Sequence, residues 1–399
     1  MTEYRVIDTP EGLAEAADRI AGGDGPVAVD VERASGFRYS QRAYLVQMFR
    51  RGAGLFLFDP PAIGDFGALQ RAVGDVEWVL HAASQDLPSL AELDLRPPAI
   101  FDTELSARLL GWPRVGLAAV TEQAIGVVLK KEHSAADWST RPLPQAWLEY
   151  AALDVEHLID VRDVLVEALE ASGKAEWARQ EFEEVRLREP KPTRTDPWRR
   201  LSGLHQVRGR RGLAIARELW LSRERLAQEQ DIAPGRLVPD RALVAAVLAA
   251  PTSKAQLAAL KDFTGRASRT QLDRWWAAID AGRTTSDLPP DRLPGSDTLP
   301  PLKSWKDRNP EADARLRSAR PAVAALAERI EMPTENLLTP ELLRRVSWEP
   351  PSPVTAPAVA DALRELGARA WQVELTAPVI AEAFVHPVQE APEAADAAS

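Results

Sequence analysis

Four carboxylic acids and one phenol, spread between positions 30 and 154, are the side chains of this 399-residue chain best suited to a chemical reaction: Asp30, Glu32, Asp86, Tyr150 and Asp154. Carboxylates brought within a few ångströms of one another resist ionising together, and bound cations remove that cost. Hard oxygen ligands without a cysteine or histidine cluster favour Mg²⁺ or Mn²⁺ over Zn²⁺. If the acids converge, we expect them to bind two divalent metal ions, which can lower the pKa of a bound water.

The first two acids lie in an alternating segment, Val27-Ala28-Val29-Asp30-Val31-Glu32, that predicts a β-strand. Successive side chains of a strand point to opposite faces, so both acids share one face and the valines share the other. The alternative interpretation is a solvated strand face on which the acids serve solubility alone.

Asp86 follows an apolar segment that begins at Trp78, which predicts a strand ending just before this acid and a helix beginning near it. The alternative is that Ser84 or Asp86 only caps that helix. His81, inside the segment, is interpreted first as a packed strand histidine and second as a contact to nucleic acid.

The last two residues lie in a periodic segment that starts at Gln145 and predicts a helix. Its apolar stripe consists of Leu148, Ala151, Val155, Leu158 and Ile159. Tyr150 and Asp154 are four residues apart, so they stack on the flank of this stripe and are expected to meet the edge of the sheet.

In their order and spacing, these motifs resemble the ribonuclease D family of DEDD-type 3′-to-5′ exoribonucleases, in the subtype with tyrosine in the third motif. The resemblance extends to three further segments: Phe101-Asp102-Thr103, Ala107 to Gly111, and Asp137 to Leu143. This chain differs from the family pattern at Val31, where the family usually has threonine, and at Arg33, where the family frequently has an aromatic residue.

The resemblance implies an α/β exonuclease domain, with a ribonuclease H-like mixed sheet flanked by helices, followed by all-α HRDC-like domains. It also implies that Asp30 bridges both ions, that Glu32 and Asp154 complete the site of the water-activating ion, and that Asp86 holds the second. Tyr150 would then orient the attacking water, and Glu32 would contact the 3′-terminal ribose. The implied reaction trims RNA 3′ ends, such as those of tRNA precursors, and releases nucleoside 5′-monophosphates.

The remaining chain predicts helices after residue 190, and the segment from Leu219 to Ala250 resembles the HRDC domain. A weaker copy lies about a hundred residues later, where Met332, Leu337 and Leu343 repeat the positions of earlier apolar residues. The predicted organisation is an exonuclease domain at 1–185, a basic linker at 186–203, an HRDC domain at 204–284, a Pro-rich linker at 285–300, a second HRDC-like domain at 301–386, and an acidic disordered tail at 387–399.

The formal net charge of −10 counts against a nucleic-acid partner only if the charge is evenly distributed. Between Val185 and Arg225, however, the chain carries twelve basic residues against four acidic ones. Arg208, Arg210 and Arg211 are candidate contacts to RNA phosphates in this stretch. The alternative is that they belong to an ordinary solvated helix face.

Several classes of protein are disfavoured. Cysteine is absent, which fits a reducing cytosol, and neither a signal peptide nor a membrane span is predicted. No G-x-x-x-x-G-K-[ST] phosphate loop occurs, so no ATP is expected.

We therefore expect a cytoplasmic monomer that acts on RNA. A DNA 3′-to-5′ exonuclease and a non-catalytic RNA-binding scaffold remain as alternatives, and loss of a metal-binding acid would have favoured the scaffold.

Overall fold

The computed structural model describes residues 5–129, 136–189, 194–291 and 299–387. Its first part contains a six-stranded sheet with the order β1-β4-β3-β2-β5-β6. The β2–β3 and β3–β4 pairs are antiparallel, whereas β1–β4, β2–β5 and β5–β6 are parallel. The strands are β1 (Val6–Ile7), β2 (Asp24–Arg33), β3 (Ala43–Arg51), β4 (Gly54–Phe58), β5 (Glu77–Leu80) and β6 (Ala99–Asp102).

The strands predicted at residues 27–32 and from Trp78 are confirmed as β2 and β5, whereas the edge strands β1 and β6 were not predicted. β1 has only two residues, which are too few to show a period. Nine helices within the described residues flank the sheet: α1 (Pro10–Ala21), α2 (Pro60–Ile63), α3 (Gly67–Val73), α4 (Leu87–Ala91), α5 (Thr103–Leu109), α6 (Leu117–Ile125), α7 (Gln145–Glu156), α8 (Leu158–Ala171) and α9 (Ala175–Leu187). The predicted mixed sheet flanked by helices is therefore confirmed.

The two faces of β2 have different surroundings, as its alternation requires. Val27, Val29 and Val31 are buried in the main core, which also holds the apolar residues of α1 and α3. The opposite face is covered by α7. There Leu45 of β3 and Leu57 of β4 are buried with Leu148 of α7 in a separate apolar cluster. Burial on both faces fixes the register of β2, because a one-residue slip would exchange valines for acids.

A second helical unit has its own core. It consists of α10 (Gly209–Gln230), α11 (Pro234–Leu237), α12 (Asp240–Ala249), α13 (Lys254–Ala258), α14 (Arg266–Thr270) and α15 (Leu272–Thr284). Two short 3-10 helices, Pro197–Arg200 and Leu204–Gln206, precede α10. Trp198 lies in the predicted basic linker, yet it is buried in this core, because an indole this large gains more from burial than from exposure. Part of the predicted linker therefore belongs to the helical unit.

The third unit repeats the order of the second: a long helix, a one-turn helix and a helix of about ten residues. It consists of α16 (Trp305–Arg308), α17 (Pro310–Arg329), α18 (Thr334–Leu337), α19 (Pro340–Trp348), α20 (Ala356–Glu365) and α21 (Ala370–Val385). This repetition supports an HRDC-like unit, which stays a prediction together with the domain boundaries. The predicted acidic tail lies almost entirely outside the described residues.

The third unit shares one apolar core with the exonuclease region, unlike the second. Trp371 of α21 stacks on Trp177 of α9, with ring centroids 5.0 Å apart. Arg369 donates to the buried Glu181, and Lys174 donates to the carbonyl oxygen of Glu331 at 3.1 Å. The third unit is therefore part of the scaffold that supports the sheet. Among the described helices, none combines the length and apolar character needed to cross a lipid bilayer.

Candidate active site

Asp30 and Glu32 project from the face of β2 that α7 covers, as the alternating sequence predicted. Carboxylate oxygens of Asp30, Glu32 and Asp154 all lie within 4.8 Å of one another. The solvated-strand alternative is wrong, because both acids of β2 are largely withdrawn from water. Three acids that are distant in sequence therefore form one cluster between the sheet and a helix.

α7 carries the other half of the cluster because its apolar side packs across the sheet. Leu148 and Ala151 are buried against the β3–β4 face, beside Trp138. Tyr150 and Asp154 lie one helical turn apart on the flank of this apolar side, and the two side chains are hydrogen-bonded to each other. The predicted stacking of these two residues on the flank of the helix is confirmed, but they meet the face of the sheet at the inner strand β2 and not an edge of the sheet.

The predicted single helix across this region is two helices in the structure. α7 ends at Glu156 and α8 begins at Leu158, with His157 at φ −102° and ψ −3° between them. Leaving helical geometry at one residue lets α8 pack against β5 and α6, while α7 stays on the acidic face of the sheet. A break of one residue does not disturb a 3.6-residue period enough to be visible in sequence.

Asp86 lies at the start of α4, as predicted, but β5 ends six residues earlier, at Leu80, and a 3-10 turn over Ala83–Gln85 lies between them. Its side chain makes no capping hydrogen bond to that helix, so the capping alternative is wrong for Asp86. The turn before it is held by the buried Asp102, whose carboxylate accepts hydrogen bonds from the backbone N–H groups of Ala82 at 3.1 Å and Ala83 at 2.9 Å. Asp102 is therefore a positioning residue for Asp86. In the sequence, Asp102 lies in a segment that resembles the ribonuclease D family, but its role could not be predicted from there.

The electrostatics of the cluster show the cost of bringing these acids together. Burial raises the pKa of Asp30 to about 6 and that of Asp154 to about 8. Burial, followed by the charges of neighbouring acids, also raises the pKa values of Glu32 and Asp86 well above their usual range. The donors are all oxygens, which fits a hard cation such as Mg²⁺ or Mn²⁺. Binding such a cation would displace the protons that the acids retain near neutral pH.

Asp86 stands outside the group of three and has its own cationic neighbour, Arg33. The Arg33 guanidinium lies 3.7 Å from the Asp86 carboxylate and donates to the carbonyl oxygen of Gln85. Its charge lowers the pKa values of Asp30, Glu32 and Asp86, against the effect of burial. The sequence showed only that an arginine replaces a frequent aromatic residue here. The contact of Arg33 with Gln85 and Asp86 could not be predicted from the sequence. The residues lie on different elements, and 52 positions separate Arg33 from Gln85.

His81 lies at the end of β5 and is packed, as the first interpretation predicted. Its Nδ1 lies 2.9 Å from the Thr103 hydroxyl, and that hydroxyl donates to the Leu80 carbonyl oxygen. Burial lowers the pKa of His81 to about 4, so the ring is neutral at physiological pH. A contact between His81 and nucleic acid stays a prediction, and such a contact would involve a neutral ring.

The three candidate RNA-binding arginines make hydrogen bonds within the chain. Arg210 donates to the carbonyl oxygens of Leu288 and Pro289, at 2.6 Å and 3.1 Å. Arg211 donates to Gly282 and Thr285, and Arg208 donates to the His205 carbonyl oxygen. The bonds of Arg210 and Arg211 attach the end of α15 and the segment after it to the start of α10, whereas the bond of Arg208 is local. Each guanidinium therefore has a structural role, and contact with RNA phosphates stays a prediction.

The second helical unit touches the exonuclease region at the segment between β2 and β3. Asp231, at the end of α10, accepts hydrogen bonds from the backbone N–H groups of Tyr39 and Ser40 and from the Tyr44 hydroxyl. The guanidinium of Arg236 lies 3.8 Å from the centre of the Phe37 ring. The segment that follows Asp30 and Glu32 in the chain is therefore held from outside by the helical unit.

Three family profiles match this chain. The profile described as "3'-5' exonuclease" matches residues 4–170, and the one described as "HRDC domain" matches residues 212–279. A third, described as "3' to 5' exonuclease C-terminal domain", matches residues 298–384. These ranges correspond to the sheet with its helices and to the two helical units.

The curated and solved relatives agree with these matches. Ribonuclease D of Escherichia coli is 31% identical over 299 residues, which are 73% of this chain and 77% of the relative. The crystal structure of E. coli RNase D has a TM-score of 0.67 at 26% identity and covers 92% of this chain and 98% of that one. A crystal structure of a protein from Bifidobacterium adolescentis has a TM-score of 0.86 at 38% identity and covers 96% of this chain and 99% of that one. With 31% identity to a relative over 73% of this chain and 77% of that relative, the chain belongs to the ribonuclease D family of 3′-5′ exoribonucleases.

Proposed function

We propose that this chain shortens RNA from its 3′ end by hydrolysing the terminal phosphodiester with two divalent metal ions, Mg²⁺ or Mn²⁺, and that it releases nucleoside 5′-monophosphates. The observation that supports this most is the convergence of Asp30, Glu32 and Asp154 within 4.8 Å on a buried face of the sheet. Half-buried acids held this close to one another resist ionising together, and a bound cation removes that cost.

Asp30, Glu32, Asp86 and Asp154 are the residues that would hold the ions. When bound, the ions neutralise the phosphate and favour ionisation of the attacking water. In our proposal Glu32 also contacts the 3′-terminal ribose, which would restrict the enzyme to chain ends.

Tyr150 has a separate proposed role. Its hydroxyl is hydrogen-bonded to Asp154, and burial followed by the neighbouring acids raises the pKa of Tyr150 far above its usual value. The phenol therefore keeps its proton at neutral pH and cannot act as a general base. It positions the attacking water by hydrogen bonding.

The proposed substrates are structured RNAs such as tRNA precursors. The E. coli RNase D structure is described as that of an exoribonuclease involved in structured RNA processing. The second helical unit contacts the segment after Glu32, and we expect it to bind RNA outside the site. Arg208, Arg210 and Arg211 are the proposed phosphate contacts, since phosphate neutralisation supplies most non-specific affinity.

One assay tests the proposed function. RNA and DNA of the same sequence, labelled at the 3′ end, are incubated with Mg²⁺, with Mn²⁺ or with chelator. We expect the label to be released from RNA as a nucleoside 5′-monophosphate, only when metal is present. Faster release from DNA would favour the DNA exonuclease alternative. RNA binding without release in either metal would favour the non-catalytic scaffold.

Changing Tyr150 to phenylalanine is expected to lower kcat by about a hundredfold and to change KM much less. The hydroxyl is proposed to align water in the transition state and not to bind RNA in the ground state. Single-turnover rates at saturating RNA and metal measure this directly. Tyr39→Phe is a matched control, because the Tyr39 side chain contacts Gln228 and Glu224 of the second helical unit. An unchanged single-turnover rate for Tyr150→Phe would show that the proposed role is wrong.

A further inference from the structure

Gln47, in the middle of β3, is a fully buried polar residue whose side-chain amide is unpartnered. Its exposed fraction is 0%, and neither its Nε2 nor its Oε1 has a hydrogen-bond partner among the described residues. A buried polar atom without a partner lowers the stability of the fold, so proteins rarely retain one without a use for it. This amide has two such atoms.

The register of the sheet places Gln47 beside the acidic cluster. Gln47 is the direct antiparallel partner of Asp30, and its partner on the other side is Leu57 of β4. Directly paired residues of neighbouring strands point to the same face, with Cβ atoms about 5 Å apart. Gln47 therefore lies under α7, on the same side of the sheet as Asp30.

The neighbouring side chains along β3 and across to β4 are apolar and cannot hydrogen-bond to the amide. On the same face, the adjacent positions of β3 are Leu45 and Phe49, which are apolar, and Leu57 lies across the strand. On the opposite face, Val46 and Met48 are fully buried in the main core. A leucine or methionine at position 47 would match these neighbours and would leave no polar atom unpaired. The register places the Asp30 carboxylate, which can accept a hydrogen bond from an amide, directly across from Gln47 on this face.

We propose that Gln47 is a positioning residue for Asp30: its amide N–H group donates to the Asp30 carboxylate when the site binds its cation, and so fixes the direction in which that carboxylate faces. This inference rests on the proposed function, because it concerns the same metal site. Residues that hydrogen-bond a metal-binding carboxylate orient it, and losing one costs about tenfold to a hundredfold in metal affinity. Gln47 touches neither RNA nor the reacting atoms in this role.

The test measures metal binding without RNA. Gln47→Met keeps the length of the side chain and removes both polar atoms. We expect it to weaken Mn²⁺ binding, measured by titration calorimetry, by about tenfold to a hundredfold. The metal-free Tm is expected to stay the same or to rise, since two unpaired polar atoms disappear. A residue with only a structural role would show the reverse, with a lower Tm and unchanged affinity.

Two controls complete the design. Met48→Leu changes the next residue of β3, which faces the other core, and is expected to bind Mn²⁺ as the wild type does. In an Asp30→Asn background, Gln47→Met is expected to cost no further affinity, because Gln47 acts through Asp30. An equal cost in both backgrounds, or wild-type affinity in the single variant, would overturn the proposal.

Folding failure is also informative. If Gln47→Met does not fold, Gln47→Leu, which matches Leu45 and Leu57, takes its place. Failure of both variants would overturn the proposal, since the polar atoms would then be needed for the fold itself. Because no RNA is present, these results are independent of the hydrolysis assay. Normal Mn²⁺ binding without hydrolysis would count against the proposed function and not against the role of Gln47.

Discussion

Alanine at position 30 or at position 154 is expected to lower turnover by at least about a thousandfold, because each change removes a metal-binding carboxylate and misplaces the attacking water. The two acids come from different elements, β2 and α7, but their oxygens belong to one cluster. Rates measured under single-turnover conditions, with saturating RNA and metal, check this for Asp30→Ala and Asp154→Ala. Glu15→Ala, which removes an exposed acid of α1, is the control and is expected to leave the rate unchanged.

The same variants are expected to fold. Without metal they should melt no lower than the wild type, because removing one buried acid relieves the repulsion among those that remain. Thermal unfolding in chelator measures this. A variant that melts far below the wild type under these conditions would show that the acid has a structural role, and the loss of turnover would then carry no information about catalysis.

Metal affinity is expected to fall by about a hundredfold when the pH is lowered from 8 to 6, because cation binding must displace protons from the acids. Burial raises the pKa of Asp154 to about 8, so this carboxyl holds its proton through most of that interval. Asp30, with a pKa of about 6, adds a smaller loss near the lower limit. Calorimetric titration with Mn²⁺ at several pH values, in two buffers of different ionisation enthalpy, measures both affinity and the protons released. An affinity that stays constant between pH 6 and 8 would contradict this prediction.

The stability of the metal-free protein is expected to change with pH in the direction opposite to the metal affinity. The folded-state pKa values of Asp30 and Asp154 lie above the unfolded value near about 3.9, so the native state binds more protons between these limits. The stability that these two acids contribute is therefore fully present below about pH 4 and is lost as the pH rises towards 8. Unfolding in chelator across this range is expected to show this loss in the wild type and a smaller one in Asp154→Asn.

Much of the site could be predicted from the periodicity of short segments of the sequence. Alternation in β2 placed Asp30 and Glu32 on one face, and a spacing of four placed Tyr150 beside Asp154. These results follow from the geometry of a single strand and a single helix, which depends on neighbours in the chain. The position of Asp86 after an apolar strand was predictable for the same reason.

Only the tertiary structure decided which other groups meet these acids. The contact of Arg33 with Asp86, the pairing of Gln47 with Asp30, and the bonds from Asp102 to the turn before Asp86 all join different elements. The bonds of Arg210 to the segment after α15 and the core shared by the third unit and the exonuclease region are of the same kind. The physical reason is that strand register and packing between elements depend on the burial of all faces at once. Periodicity shows which way a side chain points, and only the assembled fold shows what it meets there.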